Sequence, residues 1–154
     1  MDYLGSCYDN FFQNTTLMEM VESRLLQDDS AQYRFFILRP NSEAVKVKDE
    51  LYKKHVPEKW SMSKRIEFTI DRYKEFKKIL PEEAKPRFVM KYYDDKPFRL
   101  ARFLLMPGIG LHMRVNNYVE GKKALLLFKP DSVMYSMAED KFELLWEDED
   151  TNEV

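Results

Sequence analysis

Cysteine is nearly missing from this chain: Cys7 stands alone. That excludes an intrachain disulfide and a thiolate metal cluster, and it fits a reducing, cytoplasmic setting. With no histidine within reach in sequence, Cys7 is expected as a small buried apolar side chain. Histidine is also scarce. His55 and His112 are the only two, and no H-x-x-x-H or H-E-x-x-H spacing exists, so neither a metal nor another cofactor is expected. Four glycines leave no Gly-rich phosphate loop. No stretch approaches the ~20 apolar residues of a membrane span. "MDYLGSCYDN" opens with an acid and lacks a basic head and an apolar core, so it does not read as a secretory signal. Neither sign of charge dominates: 25 Lys and Arg face 27 Asp and Glu, leaving −2. That balance argues against nucleic acid and anionic membrane as partners, since both select clustered positive charge. "KVKDELYKKH" and "RYKEFKKIL" are basic but interleaved with acids, as solvated helix faces are.

What is present suits one globular domain. The 154 residues are 44% hydrophobic and 34% charged, enough for a single sizeable core. Residues 1–148 are expected to form it, with 149–154 a solvated, frayed acidic tail. Residues 2–7 suggest a short strand. "TTLMEMVESRLLQDD" carries Leu17, Val21 and Leu25 at helical spacing, with Thr15 or Thr16 as N-cap. In "QYRFFILRP", Tyr33, Phe35 and Ile37 take one face and Phe36 and Leu38 the other, which predicts a strand covered on both sides. Asn41 or Ser42 then caps a helix to about Lys54. A further helix follows from Ser61 or Ser63, burying Ile66, Ile70, Tyr73 and Phe76. His55 is expected just beyond the first of these two helices, exposed.

From Pro86 onward the pattern turns to strands: "RFVMKYYD", "FRLARFLLMP", "GLHMRVNNYV" and "ALLLF", joined by polar or glycine-containing turns. Asp94 and Asp95 read as turn residues. "PDSVMYSMAEDKFELLWED" closes as a helix, capped by Asp131 or Ser132, with Met134, Ala138, Phe142, Leu145 and Trp146 as its apolar stripe. The class is α+β: a mixed β-sheet flanked by helices, with a meander in the second half.

"FFILRPNS" at the end of a strand, "KYYDDKPFRLARFLL" later and "FELLWED" in the last helix together resemble the degenerate, single-unit domains of the phospholipase D-like superfamily, of the noncatalytic bacterial type. The resemblance spans roughly residues 2–148. It implies a mixed sheet sandwiched by helices. In active members two histidine motifs of the form H-x-K-x-x-x-x-D meet in one cleft, often across a dimer; noncatalytic members act as sensor or regulatory modules. Here the strand that would carry the histidine, "PFRLARFLLMP", offers Phe98 or Leu100 in its place. His112 lies on the following strand. Arg114 takes the lysine position, but Val119 stands where the acid belongs and Glu120 comes one residue late. A one-residue shift in a strand turns a side chain to the opposite face.

In "GLHMRVNNYV" strand alternation puts His112, Arg114, Asn116 and Tyr118 on one face and Leu111, Met113, Val115 and Val119 on the other. The polar row reads either as the floor of a ligand site or as the wet side of an edge strand. Arg99 and Arg102 alternate to opposite faces, so at most one joins it. Arg39, Asn41 and Ser42, past a central strand and at a helix start, form a second candidate anion site, or Asn41 and Ser42 serve only as caps. The candidate ligand residues are therefore Arg39, Asn41, Ser42, Arg99, His112, Arg114 and Asn116, with no catalytic residue among them. The expected function is a noncatalytic, intracellular binding or regulatory module for an anionic small molecule or nucleotide. The alternatives are an active phosphodiesterase or nuclease working as a symmetric dimer, and a protein-binding subunit of a larger complex. A homodimer is expected, because 11 Phe, 9 Tyr and 2 Trp exceed what a small core readily encloses and interfaces are rich in aromatics.

Overall fold

"YRFFIL" has large apolar side chains on both faces, and it becomes the second strand of a six-stranded mixed sheet. The structure, a computed structural model, describes residues 1–5, 7–55, 60–94, 101–116, 123–148 and 151–154. In chain order the elements are β1 (Asp2–Gly5), α1 (Asp9–Gln13), α2 (Thr15–Gln27), β2 (Tyr33–Leu38), α3 (Glu43–His55), α4 (Met62–Ile79), β3 (Phe88–Tyr93), β4 (Ala101–Met106), β5 (Gly110–Asn116), β6 (Lys123–Phe128) and α5 (Val133–Glu147). The sheet order is β3-β2-β1-β4-β5-β6. β1, β2 and β3 run parallel, and β4, β5 and β6 form an antiparallel meander; β3, which the sequence pattern places as the first strand of that meander, lies instead at the far edge beside β2. This is the α+β class that the sequence predicts.

The strand register assigns each side chain to a face. Tyr3 lies opposite Phe35 on one side and Leu104 on the other, and Leu104 continues to His112 and Leu127. Helices α1 and α4 cover the β2–β3 part of this face. Phe12 of α1 and Tyr73 and Phe76 of α4 bring their rings within 6.4 Å of Phe88. Phe35 is fully buried among Tyr3, Tyr8, Phe11, Phe12 and Phe88. The opposite face belongs to α5: Phe142 and Trp146 pack on Phe36 at 5.0 and 5.3 Å, and Phe142 also meets Phe103.

The "FELLW" segment is thus an anchor. Arg34 of β2 donates to Asp2 at 2.7 Å and to both oxygens of Glu143, while its guanidinium lies over the rings of Phe142 and Trp146. Glu143's carboxyl is held below the usual carboxylate range, mainly by the hydrogen bonds from Arg34. Lys91 donates to the Trp146 carbonyl at 2.6 Å and sits over the same indole.

Several local expectations need correction. The cap of α2 is Asn14, whose Oδ1 accepts the Leu17 N–H at 3.0 Å; Thr15 and Thr16 lie inside the first turn, and Asn is the stronger N-cap. α1 was not expected at all. Tyr135 replaces Met134 in the buried stripe of α5, since Met134 is 37% exposed. His55 is the last residue of α3 rather than beyond it. The C-terminal residues are not a frayed tail. Asn152 and Val154 pair with β3 through Tyr92 N–H to Asn152 O at 2.9 Å and Val154 N–H to Met90 O at 3.0 Å, and Lys77 pairs with Glu153. Finally, the described aromatic residues are mostly taken up by the core or packed against it. Among the described residues Trp60 is the only exposed aromatic; the other exposed large apolar side chains are aliphatic, such as Leu125, Leu127 and Leu144.

Candidate functional site

The helices that cover β2 and β3 stop at β1. Beyond that line the same sheet face continues over β4, β5 and β6 without a helix among the described residues, and the step between the two levels is a cleft of about 540 Å³. Its floor is Leu104, His112, Arg114 and Leu125; its wall is Gly5 and the residues Cys7 to Phe11, backed by Arg65 of α4. The place follows from topology. β1 bonds in parallel to β2 and antiparallel to β4, and the cleft opens at its carboxyl end, where α/β sheets characteristically bind ligands at a change of strand direction.

The wall is rigidly fixed. Tyr8 N–H donates to Thr69 Oγ1 at 3.1 Å, and its hydroxyl donates to the Phe36 carbonyl at 2.6 Å. Gly5 permits this, because a Cβ there would lie 3.2 Å from the Tyr8 ring. Asp9 and Arg65 form a two-pronged ion pair, Nε to Oδ2 at 2.9 Å and Nη2 to Oδ1 at 2.8 Å. Arg65 also donates to the Tyr52 hydroxyl at 3.2 Å, and Cys7 Sγ donates to Asp9 Oδ1 at 3.4 Å. Cys7 is buried as expected but serves as a polar contact as well. Burial pushes the Asp9 carboxyl up, yet the Arg65 hydrogen bonds and charge, with help from Cys7, hold it below the usual carboxylate range. Asp9 and Arg65 therefore neutralise each other and brace α1 on α4.

The floor is different. Arg114 is half-buried and makes no hydrogen bond or ion pair among the described residues, whereas Arg24, Arg34, Arg39, Arg65, Arg72 and Arg87 each pair with an acid. His112 Nε2 is buried with no partner among the described residues. A polar atom in that position costs roughly 1–3 kcal/mol unless something bonds to it. One turn of the alternation thus places an unneutralised guanidinium and an unsatisfied imidazole nitrogen on the same floor, both lining the cleft. An anion with acceptor oxygens, one for Arg114 and one for a protonated Nε2, would satisfy both, as would one that offers a hydroxyl to an unprotonated Nε2.

The other expected residues are not part of it. Arg39 turns to Asp94, 3.8 Å away, and lies over the Tyr92 ring. Asn41 takes a positive φ of 63° at the end of β2. Ser42 Oγ accepts the Val45 N–H at 3.4 Å, the contact of a helix cap. None of the three lines the cleft. Arg99 and Tyr118 lie outside the described residues, as does the side chain of Asn116, whose backbone pairs with Lys123. Asp9, Arg65 and Phe11 were missed by sequence reading. Asp9 and Arg65 are far apart in the chain, and α1 is too short for its periodicity to register.

Beside the cleft a second pocket of about 240 Å³ shares Asp9, Asn10 and Arg65 with it and is completed by Gln13 and Trp60. No group of three or more His, Cys, Asp or Glu is placed to hold a metal among the described residues, and no helix there is long and apolar enough to cross a membrane. Comparison with protein-family models, curated proteins and solved structures found no match to this chain.

Proposed function

We propose that this chain is a noncatalytic cytoplasmic binding module, of phospholipase D-like type, that holds a small anionic ligand in the cleft beside β1. The observation that carries the reading is Arg114, a cation without a partner among the described residues, next to the orphaned Nε2 of His112. Helices on both faces of a mixed sheet agree with the superfamily resemblance at the level of architecture. Phosphodiester hydrolysis of that superfamily's kind needs a second imidazole as acid. His112 is the only histidine among the described residues that line the cleft, so a hydrolytic site would need another from a second copy.

Thermal-shift titration with inorganic phosphate and pyrophosphate tests this. The protein is stabilised, and Arg114→Ala weakens binding roughly ten- to a hundredfold, as expected for a lost charged hydrogen bond of about 1.5–3 kcal/mol. Equal stabilisation of both proteins would move the site elsewhere, and phosphodiester turnover abolished by His112→Ala would favour the enzyme. A second reading, a homodimer or a subunit that docks on a partner protein, is favoured by Leu125 and Leu127 of β6, 59% and 74% exposed. A monomer mass by light scattering at tens of micromolar would count against the homodimer.

A further inference from the structure

Trp60 is the only described aromatic side chain that is exposed, at 55%, and it lines the pocket that adjoins the cleft. Every other described ring is buried or half-buried. A Trp in water at a pocket edge is an apolar surface awaiting a planar partner. Phe68 of α4 meets it edge-on, with centroids 5.9 Å apart at 65°, which supports the indole from the helix side. Asn10 and Gln13 lie one turn apart on α1 and line the same pocket. Each carboxamide offers both a donor and an acceptor, as the edge of a nucleobase requires. The wall between pocket and cleft is the Asp9–Arg65 pair, which lines both. Its charges are mutually satisfied, so it divides the site without attracting a second anion.

We infer that the ligand is a nucleotide, with its phosphate on Arg114 and His112 Nε2 and its base stacked on Trp60, where Asn10 and Gln13 meet the base edge. The inference rests on the anion-binding reading above and extends it from a charge to a two-part molecule. The cleft's volume of about 540 Å³ lies within the roughly 300–1,000 Å³ of small-ligand sites, and the adjoining pocket adds about 240 Å³. The net charge of −2 and the absence of a basic track favour a free mononucleotide over a nucleic-acid strand.

Titrations of the full chain with AMP, GMP, CMP and UMP, each set against inorganic phosphate and against the matching nucleoside, test the assignment through tryptophan fluorescence and calorimetry. Stacking changes the emission of Trp60, and at least one mononucleotide binds about tenfold or more tightly than inorganic phosphate. Trp60→Ala lowers nucleotide affinity about tenfold and leaves phosphate affinity unchanged; Trp60→Phe retains most of it. Because Trp60 is exposed, the fold tolerates both changes, and circular dichroism checks this. If Arg114→Ala abolishes phosphate binding while Trp60→Ala leaves nucleotide binding untouched, the anion site stands and the nucleotide assignment falls. If nucleotides bind no better than phosphate, the assignment also falls. Failure of the native protein to bind either would overturn both readings, and a single-stranded oligonucleotide that outcompetes every mononucleotide would overturn the choice of a free ligand.

Discussion

Phe35 and Leu127 lie on the same face of one sheet, yet Phe35 is fully buried and Leu127 is 74% exposed. Three strands separate them. Across β1, β2 and β3 the parallel connections lay helices on the sheet, and the strands answer with rings on both faces. β4, β5 and β6 pair antiparallel, each with its neighbour in the chain. No described helix lies between them, so among the described residues this half is covered only by α5, on the other side. The difference teaches where a site can form. In the covered half the space between helices and sheet is filled by rings, and the bare half has no wall among the described residues; their boundary at β1 offers both a floor and a wall. Arg114 and His112 lie on the bare half within reach of that boundary.

The comparison is easiest to break at its extremes. Phe35→Ala removes a ring packed against five others and leaves a cavity, so unfolding free energy falls by about 3–5 kcal/mol, read as a lower urea midpoint. A loss below about 1 kcal/mol would show that the parallel half is not the stabilising one. Asp9→Asn acts at the boundary. It uncouples α1 from α4 by weakening the pair with Arg65, for an expected loss of roughly 1–3 kcal/mol at neutral pH. The folded carboxyl titrates below its ordinary 3.8, so its contribution is fully present above that value and disappears as pH falls through the lower, folded one. Urea midpoints from pH 7 to pH 2.5 should converge for the two proteins at the acid end; a constant gap would assign the effect to packing rather than charge. Leu127→Ser, on the bare half, changes stability by no more than about 0.5 kcal/mol. A larger loss would mean that β6 is covered in solution.

These same contrasts explain how far the residues could be read without coordinates. β2 declared itself because large apolar residues fall on both parities, and α4 because Ile66, Ile70, Tyr73 and Phe76 repeat at helical spacing; all four are buried. The face shared by His112 and Arg114 followed from strand alternation alone. The wall opposite them did not. It is made by α1, a five-residue helix, and by Arg65, which reaches Asp9 across 56 positions of chain. No local pattern encodes a contact of that separation. Arg39, Asn41 and Ser42 illustrate a different ambiguity: residues suited to an anion site are also those suited to ending a strand and starting a helix, and here Arg39 pairs with Asp94 and Ser42 with the Val45 N–H. Arg34 was invisible as an anchor because its partners, Asp2 and Glu143, come from opposite ends of the chain.

The two edges of the sheet are finished differently. β3 is sealed by the chain's own Asn152–Val154 segment, while no strand among the described residues pairs the outer edge of β6. An unpaired strand edge is where sheets grow. With one edge sealed, each molecule has a single valence for growth. Joining two copies through β6 uses both valences at once, so association of that kind stops at two and cannot lengthen into a fibre. Release of three C-terminal residues from β3 would give the molecule a second valence, and with it the capacity to polymerise.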